Sequence, residues 1–88
     1  LTDLIAHVKG ILMAVDKVKF RECVIRALKL SGGEYRPDLK IGDVEQWDSV
    51  AHLDLMSEIE LEFDVRFDLD EITTLTSLPE LLTRLEKA

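Results

Sequence analysis

The chain has 88 residues, 47% hydrophobic and 33% charged, enough for one small globular domain and too apolar for a disordered chain. Its formal net charge of −7 is unevenly spread: residues 1–40 hold eight Lys/Arg against five Asp/Glu, and residues 41–88 hold three against thirteen. Such an acidic second half repels phosphate backbones and attracts basic protein surfaces, which argues against nucleic-acid binding.

Only two prolines and four glycines interrupt the chain. Apolar residues recur between them at helical spacing, which predicts an all-α fold. The first segment, Thr2 to Val15, carries apolar residues at positions 4, 5, 8, 11, 12 and 15, a helical pattern weakened by Gly10. Its apolar run, Leu4 to Val15, contains His7 and Lys9. It is too short to span a bilayer and lacks a signal peptide's cleavage site, so no membrane insertion is expected. The chain opens on Leu1, and Met13 is a candidate start. Residues 1–15 are therefore set apart as an N-terminal extension or extra helix, and residues 16–88 as the domain proper.

Asp16 is placed to cap a helix from about Lys17 to Leu30, with Phe20, Val24, Ala27 and Leu28 on one face. Cys23 within it is alone, which leaves neither an internal disulfide nor a thiolate zinc cluster. It reads as a small buried apolar side chain and fits a reducing compartment, the cytoplasm. "SGGEYRPD" then ends the helix: Ser31, Gly32 and Gly33 are C-terminal punctuation, and Pro37 forbids continuation. About fifteen residues without periodicity follow, and loops of that length are usually functional or wrapped around the fold. Leu39, Ile41, Val44 and Trp47 are spaced through the loop and are expected to pin it onto the helices. Trp47 in isolation looks exposed.

The clearest element starts at "WDSV". Asp48 is a natural N-cap and Ser49 the first helical residue. At about 100° per residue, His52, Leu55, Met56, Ile59 and Phe63 share a core arc, while Asp54, Ser57 and Glu58 fall opposite. Val50 and Leu61 fall with the polar set, and two apolar residues beside an exposed serine suggest a docking surface. In "VRFDLDEITTL", Asp68 caps a helix of one or two turns that Thr73, Thr74 and Thr76 end. "SLPE", Ser77 to Glu80, is a capping box with proline in the first turn. It opens a last helix to about Glu86, with Leu78, Leu81, Leu82 and Leu85 apolar.

Ser49 and His52 are helical neighbours, but no glycine-rich elbow surrounds the serine and so small a bundle leaves little room for a pocket. No catalytic residue is assigned. His52 reads first as packing near the helix start, and second as lining the route of something attached to Ser49. The acids Asp64, Asp68, Asp70 and Glu71 match neither calcium-loop spacing nor its central glycine and read as a solvated surface, so no metal is assigned. A hydroxyl on the first turn of a helix stands at its positive end, where a phosphate is favoured by free N–H groups and the dipole.

With these elements in place, the chain from about Val18 to its end resembles an acyl carrier protein. "WDSVAHLDLMSEIELEFDVRF" is similar to that family's Asp-Ser-Leu motif and second helix. "DEITTLTSLPELLTRL" is similar to its short third helix and its fourth, and "FRECVIRALKL" to its first. The resemblance covers about 70 of the 88 residues. It implies a four-helix bundle with a short third helix, and a non-catalytic carrier bearing 4′-phosphopantetheine on Ser49. Asp48 matches the acid that assists the phosphopantetheinyl transferase. Val50 matches the apolar residue that partners grip, and Asp54, Ser57, Glu60 and Leu61 match the recognition face. Ser57 and Leu61 depart from the usual large apolar residue and acid. Trp47 replaces the glycine-containing step of fatty-acid carriers. These departures bear against a general fatty-acid carrier's partners and point to a discrete carrier of a specialised pathway.

What the resemblance implies is a monomer that presents acyl thioesters to basic-surfaced enzymes of fatty-acid, polyketide or related biosynthesis. An acyl chain is expected to enter between the second and third helices. Two alternatives remain: an aminoacyl or peptidyl carrier, and a group-free interaction module of the same fold.

Overall fold

The computed structural model describes residues 15–87. The expected extension or helix at the N-terminus falls, apart from Val15, outside these residues. The described chain is all-helical: α1 (Lys17–Leu28), α2 (Ser49–Phe63), α3 (Leu69–Thr74) and α4 (Leu78–Glu86) form a small helical bundle.

Asp16 caps α1, its carboxylate accepting from the amides of Val18 and Lys19, both at 3.1 Å. Phe20, Cys23, Val24 and Leu28, spaced at three and four, form its buried stripe. The helix ends two residues earlier than expected, and without glycine. Lys29 adopts a left-handed conformation (φ 56°), and the Leu30 amide donates back to the Ile25 carbonyl at 3.0 Å. Leu30 is buried, so its return to the core offsets the cost of a left-handed lysine. Gly32 and Gly33 lie beyond the cap.

The long loop is bound to the bundle as expected, with Leu39 and Trp47 fully buried and Ile41 and Val44 half-buried. Trp47 therefore belongs to the core and not to the surface that its acidic neighbour suggests. Backbone pairing stitches the loop to the start of α4. The Ile41 amide donates to the Thr76 carbonyl and the Leu78 amide to the Leu39 carbonyl, each at 2.9 Å. Gly42 makes the loop's tight turn at φ 89°, a backbone shape costly for any residue with a Cβ.

Asp48 caps α2, and Asp64, left-handed at φ 53°, ends it. His52, Leu55, Met56 and Ile59 are buried as the helical arc predicts. Phe63, placed on the same arc, is only half-buried. It sits at the seam with α1, its ring 6.3 Å from that of Phe20 and beneath the Lys19 ammonium. Glu58, expected to face solvent, turns toward α1 instead. Arg26 donates to Glu58 at 3.2 Å and to Glu62 at 3.0 Å. A helical wheel knows only its own helix, and a long arginine from a packed neighbour recruits the flanking acids.

A reciprocal capping box between Asp68 and Glu71 opens α3, and no α3 side chain is fully buried. Ile72 and the C-cap Leu75 are half-buried against the core, and Glu71 is ion-paired with Arg84 of α4, which also donates to the Arg66 carbonyl at 3.1 Å. Ser77 caps α4 through the Glu80 amide. The Glu80 carboxylate accepts from the Ser77 hydroxyl at 2.8 Å, where a full capping box would have it accept from the Ser77 amide. Leu78, Leu81 and Leu85 complete the core. No helix of the described residues is long and apolar enough to cross a membrane.

Candidate functional site

A free hydroxyl, a cleft and an apolar strip meet at the N-terminal end of α2. Asp48 Oδ1 accepts from the Ala51 amide at 2.8 Å, and the His52 amide donates to the Asp48 carbonyl at 2.9 Å. The cap is therefore complete without Ser49. Ser49 is exposed, and its hydroxyl has no hydrogen-bond partner among the described residues. The amides of Ser49 and Val50, first-turn donors that a helix cannot satisfy internally, are likewise unpartnered among those residues. Two free N–H groups, the positive end of a fifteen-residue helix and an accessible hydroxyl fit a phosphodiester on Ser49.

Beside Ser49 a cleft of about 330 Å³ opens between α2 and α3. Ile41, Leu53 and Ile72 give it apolar lining, together with His52, Thr73 and Thr76. His52 is 5% exposed, and both of its ring nitrogens are engaged. The Trp47 Nε1–H donates to His52 Nδ1 at 3.0 Å, and His52 Nε2 lies 2.7 Å from the Ile72 carbonyl. Nδ1 accepts, so the proton must sit on Nε2 and the ring is the neutral tautomer. The two ring planes lie within 26° of each other, their centroids 5.9 Å apart, so the rings meet edge to edge through this bond. Neither nitrogen is free to take a proton from Ser49.

The remaining candidates divide between the outer face of α2 and its packing edges. Val50 (71% exposed) and Leu61 (81%) stand in solvent, with Asp54 and Ser57 exposed between them. Glu60 departs from this set. It is half-buried, and its carboxylate accepts from the Phe67 amide at 2.8 Å, binding the segment that leads into α3. The strip also contains a residue that sequence reasoning missed, Leu53, 55% exposed. The signal was there: positions 50, 53, 57 and 61 recur at helical spacing, which places Leu53 on the same face. The Trp47–His52 bond was missed as well, because a loop side chain's direction follows no period.

Of the acids in α2, Glu58 and Glu62 are paired with Arg26, and Glu62 also lies 3.9 Å from Lys19. Asp54 takes part in no ion pair among the described residues. The local picture is an apolar strip with an acid beside it, next to a free hydroxyl. Compared with family models, curated proteins and solved structures, the chain returns no match.

Proposed function

We propose that this protein is an acyl carrier, with 4′-phosphopantetheine on Ser49 and acyl groups presented from that arm to partner enzymes. The observation that carries the reading is the idle hydroxyl. Asp48 does all the capping, so Ser49 has no structural task at a position built to favour a phosphate. When bound, the group would supply a terminal thiol able to hold an acyl chain as a thioester.

The chain's own residues would do the rest. The amides of Ser49 and Val50 and the dipole of α2 would stabilise the phosphodiester. Asp48, exposed beside Ser49, would serve transferase recognition while keeping its cap. Val50, Leu53 and Leu61 offer an apolar contact strip, with Asp54 and Ser57 between them. The acidic second half of the chain would steer basic partners at rates that fall with added salt. Tethering would raise the acyl group's local concentration at each partner to roughly the millimolar range.

The test is intact mass after incubation with coenzyme A, magnesium and a broad-specificity phosphopantetheinyl transferase, with Ser49→Ala alongside. A gain of one phosphopantetheine by the wild type alone supports the carrier. No gain on folded protein would favour a group-free interaction module or a carrier that needs its own dedicated transferase. An aminoacyl or peptidyl cargo differs only in what the arm then accepts.

A further inference from the structure

The cleft between α2 and α3 is lined both by Ser49, which is exposed, and by His52, which is buried. Trp47, fully buried and absent from the cleft's lining, meets the imidazole edge to edge and donates its indole N–H to Nδ1. The apolar side chains of the core beyond, Leu55, Met56 and Ile59, do not line the cleft.

We infer that His52, held by Trp47, is a specificity-determining residue that keeps this cleft shallow, so that short acyl groups shelter beside Ser49 and long saturated chains stay outside the core. The inference rests on the carrier reading of Ser49. A short chain needs only the existing space between Ile41, Leu53 and Ile72. A long chain would have to pass His52. Displacing that ring breaks both of its hydrogen bonds and strands the buried Trp47 N–H, while an alkyl chain offers no donor or acceptor in exchange. It also breaks the His52–Ile72 link, a direct bond from α2 to a helix whose own packing residue, Ile72, is only half-buried. An aliphatic residue at position 52 would impose neither cost.

The wild type is loaded by the transferase from the coenzyme A thioesters of acetate, butanoate, octanoate and dodecanoate, each product confirmed by intact mass. Thermal midpoints are then compared with that of the free-thiol form, and the Trp47 indole N–H resonance is followed. Butanoyl is expected to raise the midpoint by about 6–13 °C, from about two sheltered methylenes. Octanoyl and dodecanoyl should add nothing further and leave the indole resonance in place. In the double variant His52→Leu with Trp47→Phe, which strands no indole donor, the midpoint should climb with chain length through dodecanoyl.

A wild-type midpoint that climbs steadily through dodecanoyl, with the indole resonance moving, overturns the inference. So does a folded double variant that responds like the wild type. If the double variant does not fold, the wild-type series decides alone. Failure of the carrier reading looks different: no thioester adds mass, and the inference falls with it.

Discussion

The Trp47–His52 bond can be weighed by a double-mutant cycle. Trp47→Phe removes the indole N–H and part of a fully buried ring, and it leaves His52 Nδ1 without a donor. An unsatisfied buried acceptor costs about 1–3 kcal/mol, and the smaller ring adds a packing loss, so about 2–4 kcal/mol is expected. His52→Leu strands the Trp47 N–H and the Ile72 carbonyl. Part of that loss is offset by a larger apolar side chain, giving about 1–3 kcal/mol. The double variant leaves no stranded donor or acceptor between positions 47 and 52, so it should be more stable than the two single losses imply. A coupling of about 1–2 kcal/mol is the expected result.

A domain of this length holds roughly 4–13 kcal/mol in total, so each single variant should remain folded at low temperature. Urea unfolding followed by far-ultraviolet circular dichroism suits the cycle, since it does not depend on tryptophan fluorescence. With a slope of about 1 kcal/mol per molar urea, Trp47→Phe should move the midpoint by about 2–4 M and His52→Leu by about 1–3 M. If the two effects add to within about 0.5 kcal/mol, the bond does not couple these residues and the depth assigned to the cleft loses its basis.

Three further outcomes follow from named contacts. Asp48→Ala should cost about 1 kcal/mol by thermal or urea unfolding, and Ser49→Ala close to nothing, because only Asp48 caps α2; equal losses would return Ser49 to a structural role. Burial pushes the Cys23 thiol from 9.0 up to about 11, so the folded protein should react slowly with iodoacetamide at pH 8, and attachment of the arm should add one fast thiol. The same shift makes that thiol's contribution to stability complete below pH 9 and lost as the pH rises through about 11. Arg84, hydrogen-bonded to Glu71, holds that carboxyl below its ordinary 4.5, so the contribution is present above pH 4.5 and lost as the pH falls through the lower folded value. In Arg84→Ala, unfolding curves at pH 7 and pH 3 should therefore lie closer together than in the wild type.

Local chemistry was legible in the sequence and lateral chemistry was not. Asp16, Asp48, Asp68 and Ser77 all cap where their spacing to the next apolar residue places them, because a cap is settled within four residues. The buried arc of α2 was equally legible, since helical period alone sorts His52, Leu55, Met56 and Ile59 inward. Errors arose wherever a second element intervened. Glu58 is turned by Arg26 of α1, and Phe63 is left at a seam where α1 does not cover it fully. The end of α1 was misplaced for a related reason. Glycine is the usual signal for a left-handed cap, yet burial of Leu30 imposes that conformation on Lys29.

The acidic half of the chain is also less free than its composition implies. Asp43 accepts from the Lys40 amide, Asp48 and Asp68 cap helices, and Glu60 holds the approach to α3. Glu58 and Glu62 close on Arg26, and Glu71 on Arg84. Most of these carboxylates therefore have a structural partner, and neutralising them should disturb the fold before it disturbs recognition. Asp54 and the apolar positions Val50, Leu53 and Leu61 differ, since all four are exposed and Asp54 takes part in no ion pair among the described residues. On the proposed carrier reading, these exposed side chains, on the helix that begins with an unused hydroxyl, are the face that partners would read. Substitutions there should separate recognition from stability, which substitutions among the capping and paired acids cannot do.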